Sequence, residues 1–297
     1  MTASLFVQGL INGLNQGAIY ALIALGYTMV YGIIRMINFA HGDFIMIGAY
    51  TLFYTIPLMV DAGMPAWMAV IVAVAVCALV GVLVEILAYR PVRKAGPMSA
   101  LITALAMSIF LENLAMVLFG AKPHNVQAIF SLPTITVGGV SLPLNVLLTI
   151  GIGVAMMLCM QLFVKKTKLG KAMRAVSEDT GAAQLMGINV NRTISFTFAL
   201  GSALAGIASV LYCAAYPQAT PTMGSMLGLK AFVAAVLGGI GSIPGAMVGG
   251  LAIGLAEAMV SAVGLSVWKD GIVFAILIVV LLVKPTGIMG HEIQEKV

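Results

Sequence analysis

The stretch IRMINFAHGDFIMIGAY, residues 34–50, interrupts a strongly apolar chain with a cluster of polar side chains. Four of them fall within nine positions: Arg35, Asn38, His41 and Asp43. An apolar helix-like run precedes the cluster and another follows it. We predict that a helix begins near Phe44 and that Asn38, His41 and Asp43 cap it, because a helix N-terminus has free N–H groups and favours negative charge. The arginine either pairs with Asp43 or stays at the cytoplasmic headgroups.

The composition of the whole chain is that of a membrane protein. Hydrophobic residues make up 61% of its 297 positions and charged residues only 8%, and the mean hydropathy is +1.10. A soluble domain carries about 25% charged residues. We therefore predict an all-α, polytopic transmembrane helical bundle with residues 1–297 as a single domain. The first residues, MTASLFVQGL, lack the basic start and cleavage site of a secretory signal, so we expect an uncleaved N-terminus.

The apolar runs set the number of crossings. A bilayer core about 30 Å thick needs about 20 apolar helical residues per crossing. Eight runs of this kind are predicted, at 5–31, 44–60, 66–88, 98–119, 143–164, 193–213, 245–263 and 268–284. A shorter apolar piece, LKAFVAAVLGGIGSIPGA at 229–246, precedes the seventh. Its glycines and proline argue against a continuous helix there, so we expect eight or nine crossings.

The cations set the orientation. Nine of the fifteen Lys and Arg residues fall in two segments: Arg90, Arg93 and Lys94, then Lys165, Lys166, Lys168, Lys171, Arg174 and Arg192. By the positive-inside rule both segments are cytoplasmic, and two predicted crossings separate them. The N-terminus is then outside, and the tail HEIQEKV favours a cytoplasmic C-terminus. The outside loop at 120–143 contains a Thr/Val-rich piece that we expect to be extended, and it is either an ordinary connection or an interaction surface.

The two interruptions of the apolar pattern share a form. NFAHGD (38–43) and GGIGSIPG (238–245) each lie between an apolar run and a long helix rich in small residues. Paired interrupted helices indicate an internal repeat around a transport path, and backbone of this kind must be buried in protein or face water. The candidate path or gate residues are Asn38, His41, Asp43, Gly241, Pro244 and Gly245. Helix capping, interfacial anchoring and static packing are the alternatives.

Other polar residues also lie within the predicted spans: Asn12, Asn15, Gln16, Glu85, Glu112, Asn113 and Glu257. Ionisable groups in a span are costly and usually face a bundle interior or a cavity. We expect Glu85 and Glu112 to reach the membrane interface. Glu257 lies deeper, and we predict that it makes an inter-helix hydrogen bond. The three cysteines, Cys77, Cys159 and Cys213, all fall in apolar runs, which favours buried thiols over disulfide or metal roles.

The segment KKTKLGKAMRAVSEDTGAAQLMGINVNRT, residues 165–193, is too long for a hairpin turn. We predict two amphipathic stretches joined near Ser177 to Gly181, with N-cap chemistry from Ser177 and Thr180. The apolar positions form two faces: Met173 and Val176, then Leu185, Met186 and Ile188. A short exposed helix gains little stability alone, so we expect this segment to dock on a partner.

The chain contains no G-x-x-x-x-G-K-[ST] phosphate loop, so ATP-driven transport would need a nucleotide site on another polypeptide. AAQLMG (182–187) matches the A-A-x-x-x-G core of the helix by which bacterial ABC importer permeases dock on their ATPases. The match departs from the usual motif at Gly181, where a Glu is expected, and the later I-x-L-P is absent.

Longer stretches extend this resemblance from about Gly9 to Gly290: GAIYALIALGYTMVYGIIRMINFAHGDFIMIGAY (17–50), YRPVR (89–93), MRAVSEDTGAAQLMGINVNR (173–192) and KAFVAAVLGGIGSIPGAMVGGLAIGLAEAM (230–259). Together they resemble the LivH-like permeases of the branched-chain amino acid ABC importer family. The resemblance implies a non-enzymatic subunit of the bacterial inner membrane that helps to import leucine, isoleucine and valine.

The resemblance also implies partners and a docking site. The partners would be a second, LivM-like permease, two cytoplasmic LivG- and LivF-like ATPases that hold ATP and Mg, and a periplasmic or extracellular solute-binding protein. This chain would bind no cofactor of its own. The candidate ATPase-docking residues are Arg174, Glu178, Asp179, Ala182, Ala183 and Gly187.

Other functions remain open at this point. Related importers for urea or short-chain amides use permeases of the same kind, and the residues do not distinguish the cargo. An ATP-independent channel or carrier would need membrane-depth carboxylates or an ion site, which the pattern does not indicate. A membrane enzyme would need an H-E-x-x-H, paired-carboxylate or Ser/His constellation, and the sequence shows none.

Overall fold

The computed structural model describes residues 3–93, 95–129, 133–137 and 140–290. These residues are mostly helical. The helices are α1 (Ala3–Ile34), α2 (Asp43–Asp61), α3 (Met68–Val84), α4 (Arg90–Val92), α5 (Pro97–Phe119), α6 (Leu144–Lys166), α7 (Lys168–Glu178), α8 (Thr180–Leu185), α9 (Val190–Ala215), α10 (Met223–Gly238), α11 (Ile243–Ala262) and α12 (Lys269–Val283). The short strands are β1 (His124–Asn125), β2 (Thr134–Val137), β3 (Val140–Pro143) and β4 (Gln218–Ala219).

In the described part of the chain, eight helical segments are long and apolar enough to cross a membrane, at 6–34, 39–61, 68–92, 98–119, 144–166, 190–215, 243–262 and 266–283. They coincide with the eight predicted runs, so the chain is a multi-pass membrane protein with the predicted all-α architecture. The helix α10 is also apolar but has only 16 residues, fewer than the about 20 that a perpendicular crossing needs. A ninth crossing therefore stays a prediction.

The chain forms two compact units. The terminal unit comprises Met1–Thr28, Leu132–Gln161 and Lys230–Val297, and the central unit comprises Met29–Ser131 and Leu162–Leu229. The expectation of a single domain remains a prediction.

In the central unit, α2, α3 and α9 pack closely through small residues. A Cβ atom on Gly48 would overlap the Ser209 side chain, and one on Gly81 would overlap Ser202. Small residues let helix backbones approach one another within a membrane, where apolar burial alone does not hold helices together. The strands β1 and β4 pair antiparallel, with His124 opposite Ala219.

In the terminal unit, α1 and α11 are in backbone contact. A Cβ atom on Gly250 would overlap the backbone of Ala21, and one on Gly254 would overlap Gly17. The small residues of α11 thus allow close contact with α1. The strands β2 and β3 pair antiparallel with Val137 opposite Val140, and β2 is the Thr/Val-rich piece that was expected to be extended.

Several local predictions were wrong. The helix α2 begins at Asp43, which confirms the predicted start near Phe44, but its N-cap is Gly42 and no side chain caps it. Asn38, His41 and Asp43 are therefore not capping residues. In the segment 165–193 the caps are Thr167 for α7 and Asp179 for α8, because these side chains accept backbone N–H bonds. Ser177 and Thr180 do not cap these helices: the Ser177 hydroxyl donates to the Arg174 carbonyl instead.

One of the three cysteines is exposed, although all three were predicted to be buried. Cys77 and Cys213 are buried, and the Cys77 thiol donates to the Phe44 carbonyl at 3.2 Å. Cys159 is exposed on α6, so its thiol is not packed inside the chain.

Candidate docking surface and path residues

The segment predicted to be cytoplasmic, residues 165–193, folds into a short helical hairpin. Thr167 Oγ1 accepts the Gly170 N–H at 2.9 Å and begins α7. Asp179 Oδ1 accepts the N–H groups of Gly181 at 2.7 Å and Ala182 at 2.9 Å and begins α8. Gly187 ends α8 with φ +79°, a conformation that glycine adopts without the strain of a Cβ atom. These residues set where α7 and α8 begin and where α8 ends.

Burial divides the hairpin into an inner and an outer face. Met173, Val176 and Ala183 are buried. Leu185 and Met186 are 91% and 82% exposed, so the second predicted apolar face points outward instead of into the protein. Paired apolar side chains at the tip of a polar loop indicate an interaction site.

We call the exposed residues of this face the docking surface: Arg174, Glu178, Ala182, Leu185, Met186 and Gly187. The other two predicted docking residues lie differently. Asp179 is exposed but its carboxylate caps α8, and Ala183 is buried beneath the surface. These two residues support the shape of the hairpin, and sequence spacing alone did not separate them from the outer face.

A hydrogen bond connects the hairpin to the first interrupted segment. Arg35 donates from a guanidinium N–H to the Ser177 carbonyl oxygen at 3.2 Å, at the end of α7. Arg35 is also the one non-glycine residue with positive φ, +51°, in the described part of the chain. The predicted pairing with Asp43 is absent. The arginine instead ties the docking hairpin to the chain that follows α1.

The first interrupted segment buries its polar side chains. Residues Phe39–His41 form a 3₁₀ turn, and Asn38, His41 and Asp43 are all at most 2% exposed. Asn38 Oδ1 accepts the Tyr89 hydroxyl at 2.7 Å. Gly42 packs so closely on Gly224 that a Cβ atom would overlap its carbonyl oxygen. The break is thus held by tertiary contacts rather than by caps.

Two acidic side chains, Asp43 and Glu112, interact electrostatically near this break. Asp43 has Ser108 and Glu112 of α5 as polar neighbours, with Glu112 close enough for charge repulsion. The Ser225 hydroxyl donates to Glu112 Oε1. Glu112 is half-buried and is bonded to a residue of the central unit, and its reach to the membrane interface stays a prediction. Neither carboxylate makes an ion pair with a Lys or Arg in the described ranges.

The second interrupted segment is held by backbone and glycine contacts. Gly239 and Gly241 have φ of +102° and +96°, and Ser242 Oγ accepts the Gly245 N–H at 3.2 Å to begin α11. Gly245 is buried against Gly238, Gly241 is exposed, and Pro244 is half-buried in the first turn of α11. The predicted break between α10 and α11 is confirmed.

The chain that follows α12 closes over this second break. The N–H groups of Ile288 and Met289 donate to the carbonyl oxygens of Leu237 and Gly238 at 2.8 and 2.9 Å. A Cβ atom on Gly239 would overlap the backbone of Gly290. Carbonyls released where α10 ends are thereby satisfied within the protein, as membrane depth requires.

A buried ion network lies in the terminal unit. Glu257 accepts the Tyr20 hydroxyl at 2.7 Å, which confirms the predicted inter-helix hydrogen bond. Lys230 is 5% exposed and pairs with Glu257 and Asp270, each at 2.7 Å. Lys230 was not predicted as the partner, although an isolated lysine in an apolar run needs a buried acid beside it.

A second network lies where α3 ends. Glu85 is fully buried in a π-helical turn, Glu85–Tyr89, and does not reach the interface as expected. Arg90 and Arg93 reach inward to it at 2.9 and 2.5 Å, and the Ser195 hydroxyl donates to it at 2.6 Å. Burial lowers the pKa of the Arg93 guanidinium, and the Glu85 charge opposes this shift. Asn113 and Asn12 are exposed and take no part in these networks.

Comparison with known proteins agrees with this architecture. The family model described as "Branched-chain amino acid transport system / permease component" matches residues 9–281. The LivH permease of the Salmonella typhimurium high-affinity branched-chain amino acid transport system is 45% identical over 98% of both chains.

Two further relatives extend the comparison. The BraD permease of Pseudomonas aeruginosa, named for the same kind of transport system, is 44% identical, again over 98% of both chains. The ribose import permease RbsC of Escherichia coli is 27% identical over 92% of this chain and 84% of its own. No solved structure gives a significant match. The chain therefore belongs to the family of branched-chain amino acid transport system permease components.

Proposed function

We propose that this chain is the membrane-spanning permease subunit of a binding-protein-dependent ABC importer that moves leucine, isoleucine and valine into the cytoplasm. The observation that carries this proposal is the 44–45% identity, over 98% of the chain, to permeases named for branched-chain amino acid transport. Identity spread over the whole chain covers the helical bundle and the docking hairpin together.

The energy for transport comes from ATP hydrolysed on separate subunits. The chain lacks a P-loop, and ATP and Mg are held by two cytoplasmic ATPases of the LivG and LivF kind. A second, LivM-like permease completes the membrane part, and a solute-binding protein delivers the amino acid from outside. The complex lies in the bacterial inner membrane.

Movement of the ATPases enters this subunit through the docking surface. Leu185 and Met186 offer an apolar contact, and Arg174 and Glu178 offer charges around it. The caps at Asp179 and Gly187 stabilise the hairpin, so that it moves as a rigid body. The Arg35 to Ser177 hydrogen bond transmits its displacement to the first interrupted segment. A packed bundle responds to such a push by switching between discrete packings.

The interrupted segments are the parts of the path that change. Asn38, His41 and Asp43 lie around the Phe39–His41 3₁₀ turn where the chain enters α2, and Gly241, Pro244 and Gly245 lie at the second break. Helix ends of this kind in transporters hold substrate or gate the path. Their polar groups suit a zwitterion, which carries both an ammonium and a carboxylate.

Reconstitution tests the proposal. The chain, its partner permease and both ATPases are placed in liposomes with the binding protein outside, and uptake of labelled leucine is measured with and without ATP. We expect leucine uptake that requires ATP and is competed by isoleucine and valine.

The outcome separates the alternatives. Competition by urea or acetamide, with no effect of valine, would assign the chain to the related amide importers. Uptake by the chain alone, without ATPases, would assign it to channels or secondary carriers and refute the proposal. Liposomes that contain the ATPases without this chain are the matched control for leakage.

A further inference from the structure

A pocket of about 510 Å³ opens between the end of α3 and the beginning of α9, within the central unit. Its lining changes in character along its length. Arg90, Arg192 and Ser195 line one part, and Val82, Phe196 and Ala199 line the other. Nothing in the proposed transport mechanism uses this pocket.

The polar part carries an excess of positive charge. Glu85 is the acid that neutralises this site, and it is shared by Arg90 and Arg93. Arg192 makes no ion pair within the ranges that the structure describes. Arg90 and Arg93 thus share one carboxylate and Arg192 has none, so among these ion pairs two of the three positive charges are not neutralised.

The geometry of Arg90 is fixed in advance. Its guanidinium donates to Glu85 Oε2 at 2.9 Å and to Ser195 Oγ at 2.8 Å. Arg93 donates to Asn191 Oδ1 at 3.0 Å and joins the end of α3 to the first turn of α9. A group held in this way loses little conformational freedom when it binds an anion.

The polar and apolar parts of the pocket lie where a bilayer has its headgroups and its acyl chains, respectively. The polar part lies at the ends of two spans, 68–92 and 190–215, whose flanks carry the cytoplasmic cations. Phe196 and Ala199 follow Arg192 by four and seven positions, so they continue the same helix face one and two turns into the span. Val82 lies about two turns before Arg90 on α3.

We propose that this pocket binds an anionic phospholipid of the cytoplasmic leaflet. Its phosphate lies between Arg90 and Arg192, and an acyl chain runs along Val82, Phe196 and Ala199. Basic pockets between transmembrane helices on the cytoplasmic side recognise anionic headgroups in this way. A soluble protein partner with an acidic side chain would satisfy the arginines but could not reach the apolar part, which lies inside the spans. The proposal does not depend on the transported solute.

Lipid binding to the full chain tests this site. The purified protein in a neutral detergent is titrated with phosphatidylglycerol or phosphatidylcholine, and bound lipid is counted by native mass spectrometry. We expect tighter binding of phosphatidylglycerol. Arg192→Gln should weaken that binding about fivefold, the effect of one basic residue near an anionic surface, and leave phosphatidylcholine unchanged. Lys171→Gln, which removes an exposed cation of α7 outside the pocket, is the matched control and should change neither.

A second variant tests the apolar part. Ala199→Phe fills the end of the pocket and should weaken phosphatidylglycerol without affecting the binding of inorganic phosphate, which is expected to be far weaker than that of the lipid. Equal binding of the two lipids, or an unchanged affinity in Arg192→Gln, would overturn the proposal. So would inorganic phosphate that binds as tightly as the lipid, because the site would then serve a free anion. Loss of ATPase assembly in Arg192→Gln with unchanged lipid binding would assign the arginine to a protein interface and also overturn it. If Ala199→Phe fails to fold, the Arg192→Gln comparison still decides.

Discussion

The two interrupted segments look alike in the sequence but are stabilised differently. The first, at residues 38–43, buries an amide, an imidazole and a carboxylate, and its carboxylate faces Glu112 with no cation paired to either acid in the described residues. The second, at 238–245, is held by glycine contacts and backbone hydrogen bonds. The buried acid of its unit, Glu257, is paired with Lys230.

This difference separates structural from functional use of buried polarity. A paired and hydrogen-bonded ion such as Glu257 can be explained as a component of the packed bundle. Two neighbouring carboxylates without a cation reduce stability, and a costly arrangement inside a span is more often retained for function. This difference makes the first segment the better candidate for contact with the solute and the second the better candidate for a backbone hinge of the path.

The largest expected loss of stability follows from breaking the buried ion pair of Glu257. Lys230→Met leaves Glu257 buried without its main cation and should lower the free energy of unfolding by about 3–5 kcal/mol, the cost of breaking a buried pair from one side. Thermal and denaturant unfolding in detergent measure it. Lys269→Met is the matched control, because this half-exposed lysine lies 3.6 Å from the same carboxylate and should cost less than about 1 kcal/mol. Equal losses in the two variants would show that Glu257 is not held by Lys230.

The glycine contacts should come next. Gly42→Val and Gly245→Val each force a side chain into the backbone of a facing glycine, Gly224 or Gly238. Overpacking of this kind costs about 1–3 kcal/mol, and more where backbone must move. Both variants should therefore unfold at lower temperature than the parent protein. If either kept parental stability, the corresponding break would have more room than its glycine contacts indicate.

A smaller effect is expected at Gly241. This residue is exposed with φ +96°, and no atom lies within 4 Å of where a Cβ atom would stand. Gly241→Ala should therefore cost only the conformational strain of about 1–2 kcal/mol. The stability of Gly241→Ala reports backbone strain, whereas that of Gly245→Val reports steric overlap. Comparing the two variants separates these costs within one segment. A cost as large as that of Gly245→Val would contradict the open surroundings of Gly241.

The first interrupted segment should tolerate removal of the charge on Asp43. Asp43→Asn preserves the shape of the side chain and removes its repulsion with Glu112, so stability should change by less than about 1 kcal/mol. If Asp43 belongs to the path, leucine uptake in reconstituted liposomes falls although the protein is as stable as the parent. Unchanged uptake would return Asp43 to a packing role, and a large loss of stability would show a paired carboxylate.

The smallest effect on stability is expected at the docking surface. Leu185→Ser with Met186→Ser alters side chains that touch little of their own chain, so unfolding should shift by no more than about 0.5 kcal/mol. Leucine uptake by the assembled complex should nevertheless be lost, because the apolar contact with the ATPase is gone. Ala183→Leu is the informative contrast, since this buried residue should destabilise the hairpin itself. Normal uptake in the double variant would refute the docking assignment.

Much of the architecture follows from local composition. The eight spans and the break before α11 are readable in one sequence, because a membrane requires about 20 apolar residues per crossing and glycine and proline interrupt helices. Glu257 was also predictable as a bonded group, since an acid deep in a span needs a partner. The partner itself, Lys230, lies 27 positions away, and no local pattern connects the two.

The roles of individual polar residues were less predictable. Asn38, His41 and Asp43 stand where capping residues usually stand, yet Gly42 is the N-cap and the side chains point into the protein. Arg35 lies beside Asp43 in sequence but donates to Ser177 instead. On the hairpin, helical spacing places Leu185 on an apolar face. The spacing does not show whether other residues cover that face.

The sequence by itself determined that the chain is a helical membrane protein, where its spans lie, and which family it resembles, because these depend on composition and short motifs. Only the tertiary structure decided which acids are paired, which glycines touch backbone, and which apolar residues remain uncovered. Each of those properties depends on segments far apart in the chain that meet in space, and the cost of burying a polar group is set by whatever it meets.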